Sequence, residues 1–253
     1  MENNLKLITT ENIIDEHICC AFSDKKCSEG YEAKKNLICS RIKDDFHFVK
    51  LDERGKVFIE FVPAEKAWAP VSADGYIFIH CFWVSGKFKG KGHAKNLLAE
   101  CEKFAKKTKA KGIVALSSSK KQPFVSDKKF FVFQGFEVAD TADPYFELMV
   151  KRFDKSAEVP KFLPNAKSLK SDFTEGIEVV YSDMCPFNEF YSNEILKFAE
   201  SKGIKGRRKK ITTLKEAKKV NSPTALFSIF YKGEFLTQEI YSEKKFNKVF
   251  DNL

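Results

Sequence analysis

The residues best suited to chemistry lie in Phe82-Trp83-Val84-Ser85-Gly86-Lys87-Phe88-Lys89-Gly90-Lys91-Gly92-His93-Ala94. This stretch joins a dense apolar run, Tyr76 to Val84, to an amphipathic one, Gly92 to about Lys107, and so reads as a loop that carries a buried strand into a helix. A helix start presents unpaired backbone N–H groups and the positive end of the helix dipole, and together these bind phosphate. Gly90 and Gly92 let the backbone come close to a ligand, and Lys87, Lys89 and Lys91 add charge against a pyrophosphate. The loop lacks the Lys-Ser/Thr ending of a nucleotide P-loop and the spacing of the dinucleotide fingerprint. It points to another phosphate carrier, with two glycines placed for turn geometry alone as the plainer alternative.

Two other clusters carry less. His17, Cys19, Cys20 and Cys27 fall close together, but His-x-Cys-Cys-x6-Cys matches no standard zinc spacing, and no metal is expected. Gly206-Arg207-Arg208-Lys209-Lys210 is a basic cluster unaccompanied by a helix-turn-helix, zinc-finger or RNA-binding signature, so nucleic acid is not the expected partner.

The elements that must position the loop follow from periodicity. In 253 residues with 43% hydrophobic side chains and 26 Phe there is apolar volume for a substantial core, and wholesale disorder is excluded. Ile8 to Asn36 reads as helical with a break near Gly30, Phe46–Leu51 and Val57–Val62 as a hairpin, and Tyr76–Val84 as a central strand. After the Gly92–Lys107 helix come a strand at Ile113–Leu116, a short helix at Ser126–Gln134, and a strand pair at Phe136–Ala139 and Phe146–Val150. The pattern then dissolves, so residues 1–153 read as one domain, 154–175 as a linker and 176–253 as a second domain with the order β, α, β, α, β, β, α. No apolar run is long enough to span a membrane, and no membrane partner is expected. Seven scattered cysteines fit a reducing cytoplasm better than a secreted disulfide framework. The net charge of +9 favours acidic partners without choosing among them.

The loop segment Lys87-Phe88-Lys89-Gly90-Lys91-Gly92 resembles the acetyl-CoA motif Q/R-x-x-G-x-G/A of the GNAT acetyltransferases, with Lys in place of the usual Gln or Arg. A second hallmark of that family, an aromatic short helix running into Gly-Phe, appears as Phe130-Phe131-Val132-Phe133-Gln134-Gly135-Phe136. The resemblance implies a mixed α/β fold, a central mixed sheet flanked by helices, and acetyl-CoA as acyl donor. It implies that the strand ending at Val84 splays from the Ile113–Leu116 strand and that the pantetheine arm pairs with the backbone of Phe82 and Val84. The pyrophosphate would rest on Lys87, Phe88, Lys89, Gly90, Lys91, Gly92 and His93, and Ser119 would contact the arm or simply end its strand. An amine of a small molecule or peptide would attack the thioester directly. His80, taken to be in register with Phe82 and Val84, and Glu60 are the candidate bases, each with a structural role as the alternative. Where many members of the family carry an acidic Tyr this chain has Phe131, which cannot donate a proton, and Tyr145 is the candidate substitute.

The segment from about residue 175 resembles a small thioredoxin-like α/β domain, with Cys185-Pro186-Phe187-Asn188 opening a helix and Ser222-Pro223 before a hairpin, where that fold carries a cis proline. Asn188 stands where a second cysteine would resolve a disulfide, so Cys185 implies a monothiol role, or the domain serves recognition or dimerisation, and a homodimer is one arrangement this allows. With Glu16-His17-Ile18-Cys19-Cys20-Ala21 and Ala139-Asp140-Thr141-Ala142, the two segments together resemble the YoaP-type bacterial acetyltransferases.

Overall fold

A computed structural model gives the fold and describes residues 4–251. The chain forms two compact units, one from residues 4–22, Lys35–Ala67 and Val71–Phe162, the other from Ser23–Lys34, Trp68–Pro70 and residues 163–251.

The N-terminal part of the chain gives β1 (Leu5–Leu7), α1 (Ser28–Arg41), β2 (His47–Leu51), β3 (Val57–Pro63), β4 (Val71–Ser72) and β5 (Tyr76–Val84). It continues with α2 (His93–Lys107), β6 (Gly112–Ser118), α3 (Lys128–Phe133), β7 (Glu137–Ala142), β8 (Phe146–Arg152) and β9 (Lys161–Phe162). Seven of these strands make one sheet in the order β1-β2-β3-β5-β6-β8-β7, in which β5 and β6 run parallel and every other neighbour is antiparallel. The sheet is therefore mixed, as the GNAT resemblance implies. The amphipathic stripe of α2 buries Leu97, Leu98, Cys101 and Ala105 on one face of the sheet, against Ile59, Phe61, Ile77, Ile79, Ile113 and Ala115. Each large side chain so withdrawn from water contributes about 1.5–3 kcal/mol.

Two departures from expectation have local causes. Residues 9–24 are turns rather than helix, and α1 begins only at Ser28, with Gly30 inside it. Asn12 takes over the backbone there, accepting from Thr9 N–H at 2.9 Å and donating to Leu7 O at 2.9 Å, which competes with helical bonding. The stretch expected as a linker contains β9, which pairs with β4, and a 3-10 turn at Pro164–Lys167 that buries Ala166.

The second unit carries β10 (Gly176–Ser182), α4 (Asn188–Ser201), β11 (Lys205–Ile211), α5 (Leu214–Lys218), β12 (Phe227–Tyr231), β13 (Glu234–Thr237) and α6 (Glu243–Phe250). Its four strands lie in the order β11-β10-β12-β13, with β10 and β11 parallel. A capping box of Thr213 with Glu216 starts α5, and Ser242 caps α6. The core includes Ile177, Val179, Tyr181, Ile195, Ala199, Phe227, Ile229, Tyr241 and Phe246. The expected cis peptide at Ser222-Pro223 is not observed; among the described residues the cis bond is Asp143-Pro144.

Candidate functional site

The central feature is where β5 stops pairing with β6. Their parallel register runs from Tyr76 opposite Gly112 to Ile79 opposite Ala115 and goes no further. Beyond that point β5 stays with β3 as far as Val84, while β6 stays with β8 through Ser118, so a wedge opens between them. Burial changes at the same place: Tyr76 to Ile79 are buried, His80 to Phe82 are partly exposed, and Trp83 is exposed. Ser85 N–H donates to Lys56 O at 3.1 Å, toward the β3 side. Since successive residues of a strand turn their N–H and C=O to opposite edges, Phe82 and Val84 present theirs to the wedge.

The strand then delivers its loop. A 3-10 turn at Gly86–Phe88 seats the Phe88 ring in the core, and Lys87 Nζ lies 4.9 Å from the centre of that ring. Gly86, Gly90 and Gly92 have φ of 59°, 75° and 82°, values that disfavour any side chain. A Cβ added at any of the three would meet nothing within 4 Å, so space lies in front of the loop as well. Asn96 N–H to Gly92 O at 3.1 Å is the opening bond of α2, which leaves the N–H groups of His93, Ala94 and Lys95 unused by the helix. The loop thus combines a helix N-terminus, room for a ligand and the cations of Lys87, Lys89 and Lys91, as a diphosphate group requires.

The proton-transfer candidates lie on the other face of the sheet. Glu60 pairs with Cys81 and Phe61 with Ile79, so His80 is the extra residue of a β-bulge. Ile77 and Ile79 before the bulge, and Phe82 and Val84 after it, all pack on the α2 face. His80 instead stacks on Phe46 at 6.0 Å and meets the edge of Phe78 at 5.0 Å. The expected shared register of His80 with Phe82 and Val84 is therefore corrected: the bulge reverses the alternation. Glu60 is fully buried on β3. By alternation from Ile59 and Phe61 it lies on the same face as His80.

Phe131 is fully buried, with its ring 6.2 Å from Phe82 and 4.9 Å from Phe136. Tyr145 is partly buried against Phe146, and its carbonyl accepts from Ser119 N–H at 2.9 Å. The Ser119 hydroxyl lies 3.5 Å from the same carbonyl. Ser117 and Ser118 spend their hydroxyls on Ser126 O and Lys120 O.

The N-terminal turns contribute Glu16, which accepts from Lys50 and Lys6 at 2.7 Å each. Those two ammonium groups, Lys50 first, hold its carboxyl down to about 2. His17 Nε2 sits 3.3 Å from both the N and the O of Gly55, and burial lowers its pKa. In the second unit the basic cluster is largely neutralised: Arg207 is held by Asp172 and Glu178, Arg208 by Glu189, and Lys210 by Asp183 and Glu189. Asn188 is buried and donates to Ser182 O at 2.8 Å and Leu226 O at 2.7 Å. Sequence reasoning missed that Cys27, Gly30 and Lys34 belong to this unit, since a glycine within an apolar periodic stretch reads as a helix break.

Residues 11–124 match the acetyltransferase (GNAT) family, and residues 209–248 match the YoaP-like family. The chain is 39% identical over 246 residues, 97% of its length and 98% of the relative's, to the uncharacterized N-acetyltransferase YoaP of Bacillus subtilis. Among solved structures it is similar to a ribosomal-protein-alanine N-acetyltransferase from Brucella melitensis at 16% identity, covering 59% of this chain and 99% of that one, with a TM-score of 0.44. It is also similar to the GNAT family N-acetyltransferase YhbS of Escherichia coli, solved with CoA, at 15% identity, 62% and 88% coverage and a TM-score of 0.42. No described helix is long and apolar enough to cross a membrane.

Proposed function

Because the chain belongs to the GNAT family of acetyltransferases, we propose that it transfers the acetyl group of acetyl-CoA to a primary amine by direct attack on the thioester. The observation that carries this reading is the parting of β5 from β6 after Ile79 and Ala115, with the Phe82 and Val84 backbone edge facing the gap and the glycine loop at its end. That edge would hold the amide-bearing arm of the donor as an added strand would be held. The amides of residues 87–93, with Lys87, Lys89 and Lys91, would hold its diphosphate. Val84 N–H would donate to the carbonyl oxygen as negative charge builds there.

His80, on the face away from α2, would take the proton of the attacking amine, with Glu60 on the same face as the second candidate. Tyr145 would return a proton to the departing sulfur, since Phe131 cannot. The acceptor is a small-molecule or peptide amine, and seven cysteines with no disulfide among them support a cytoplasmic setting.

The test is an acceptor screen with acetyl-CoA that reads released thiol, covering polyamines, amino acids, aminoglycosides and peptides. Amine-dependent thiol release is expected, and His80→Ala is expected to lower kcat by about a hundredfold with coenzyme affinity unchanged. Loss in Glu60→Gln alone would move the base to Glu60. No heat and no thermal shift with millimolar coenzyme A would end the reading.

A further inference from the structure

We infer that Cys27 and Cys185 are a working dithiol that closes to a disulfide within the second unit, a redox function independent of acetyl transfer. The motif at the head of α4 has no resolving cysteine of its own, and the amide of Asn188, which stands in that position, is spent on the carbonyls of Ser182 and Leu226. The second thiol comes instead from the segment Ser23–Lys34, which belongs to the same unit.

Positions 27, 30 and 34 fall on one stripe of the 3-10 turn Lys25–Cys27 and the helix α1 that continues it. Two members of the stripe grip the residues on either side of Cys185. A Cβ on Gly30 would stand 2.3 Å from Pro186 O, so only glycine permits this approach, and Lys34 Nζ donates to Met184 O at 2.7 Å. The remaining member, one turn before Gly30, is Cys27. Its thiol is buried, hydrogen-bonds to Asp24 and interacts electrostatically with Cys185. Tyr191, in the second turn of α4, also senses the charges of Cys27 and Asp24.

Exposure sets the order of events. Cys185 is partly exposed and Cys27 is 1% exposed, so an incoming low-molecular-weight disulfide RSSR meets Cys185 first. The Cys185 thiolate attacks one sulfur of RSSR, the S–S bond breaks, and one RS⁻ leaves. Cys27 loses its proton to solvent and its thiolate attacks the Cys185 sulfur, expelling the second RS⁻, which takes up a proton from solvent as the first did. In sum, two protein thiols and RSSR become one protein disulfide and two RSH, the protein being oxidised and RSSR reduced.

Burial, then Asp24 and the Cys185 charge, push the Cys27 thiol up to about 11. The last of these contributions vanishes once Cys185 is in the mixed disulfide, so Cys27 ionises more readily at the step where it is needed. Below that pKa the closing step should accelerate about tenfold per pH unit.

The experiment treats the full chain with oxidised glutathione at pH 8, traps free thiols by alkylation, and maps peptides without reduction. The expected product joins the Cys27 and Cys185 peptides. Cys27→Ser should arrest at a glutathione adduct on Cys185 that outlives the wild-type adduct at least tenfold, and Cys185→Ser should give neither product. A wild-type adduct at Cys185 as persistent as that of Cys27→Ser overturns the proposal, as does a cross-link from Cys185 to any other cysteine. The wild-type map decides even if a variant does not fold, and a thermal shift with coenzyme A, read separately, reports on the transfer site alone.

Discussion

Replacing Gly92 by alanine puts a methyl group on a residue with φ 82° and ψ −6°, close to the third residue of a type II turn, where L side chains are disfavoured. The methyl itself would touch nothing within 4 Å, so the cost is confined to the backbone and amounts to about 1–2 kcal/mol. That cost has two outlets. If the loop keeps its shape, unfolding stability falls by this amount. If the loop relaxes instead, the amides lose their aim, and the dissociation constant for coenzyme A rises about 5- to 30-fold, because 1.4 kcal/mol is a decade. Gly203, beyond the end of α4, supplies the control: its φ is 67° and an added Cβ there also meets nothing. Gly203→Ala should lose similar stability with coenzyme affinity intact. Calorimetric titration with coenzyme A and urea unfolding of the three proteins separate the outlets. Gly92→Ala with wild-type stability and wild-type affinity, or Gly203→Ala with the same loss of affinity as Gly92→Ala, refutes the reasoning.

Other sites make independent predictions. Replacing Lys87, Lys89 and Lys91 together by alanine should raise the KM for acetyl-CoA about tenfold or more at low ionic strength, and the difference should shrink toward 1 M salt, where charges are screened within about 3 Å. Glu16 has a carboxyl lowered to about 2, so its pairing with Lys50 stabilises the fold above the ordinary carboxylate range, and this contribution is lost as pH falls from about 4.5 toward 2. Glu16→Gln should therefore lower stability at pH 7, by at most about 3 kcal/mol, and urea midpoints for the two proteins should converge in acid. Asn188→Ala removes the side-chain donor to the buried Ser182 O, while Leu226 O keeps the Ser182 N–H, and should cost about 1–3 kcal/mol in urea unfolding, with coenzyme affinity unchanged.

The loop and its helix were legible because their signals are local. The α2 stripe at Leu97, Leu98, Cys101 and Ala105 has helical spacing, and glycines before it mark a turn. The run Tyr76 to Val84 reads as a central strand for the same reason. Residues 8–22 misled because Ile14, Ile18, Ala21 and Phe22 are apolar at helical spacing, yet Ile14 is exposed and Ile13 is buried instead, while Asn12 and Glu16 commit the backbone and side chains to turns. Two-residue strands such as β4 and β9 are too short to carry any period. Gly30 looks like a break, since glycine weakens a helix, but its role is close approach to Pro186, and no local pattern announces a contact made so far along the chain.

The bulge at His80 shows how one residue can decide a site. A regular strand would send the side chains of Phe82 and Val84 to the face away from α2, and would turn their amides toward β3. The extra residue shifts both alternations by one step, so the same two residues pack beneath α2 while their backbone edge faces the wedge. The shift also leaves His80 beside Phe46 and Phe78, across the sheet from the glycine loop. Parting the strands without the bulge would open a gap whose edge carries the wrong pair of amides, and the bulge without the parting would have no gap to serve. Both occur within one residue of each other on β5, at Ile79 and His80, so the backbone edge that faces the wedge and the imidazole on the face away from α2 come from a single strand.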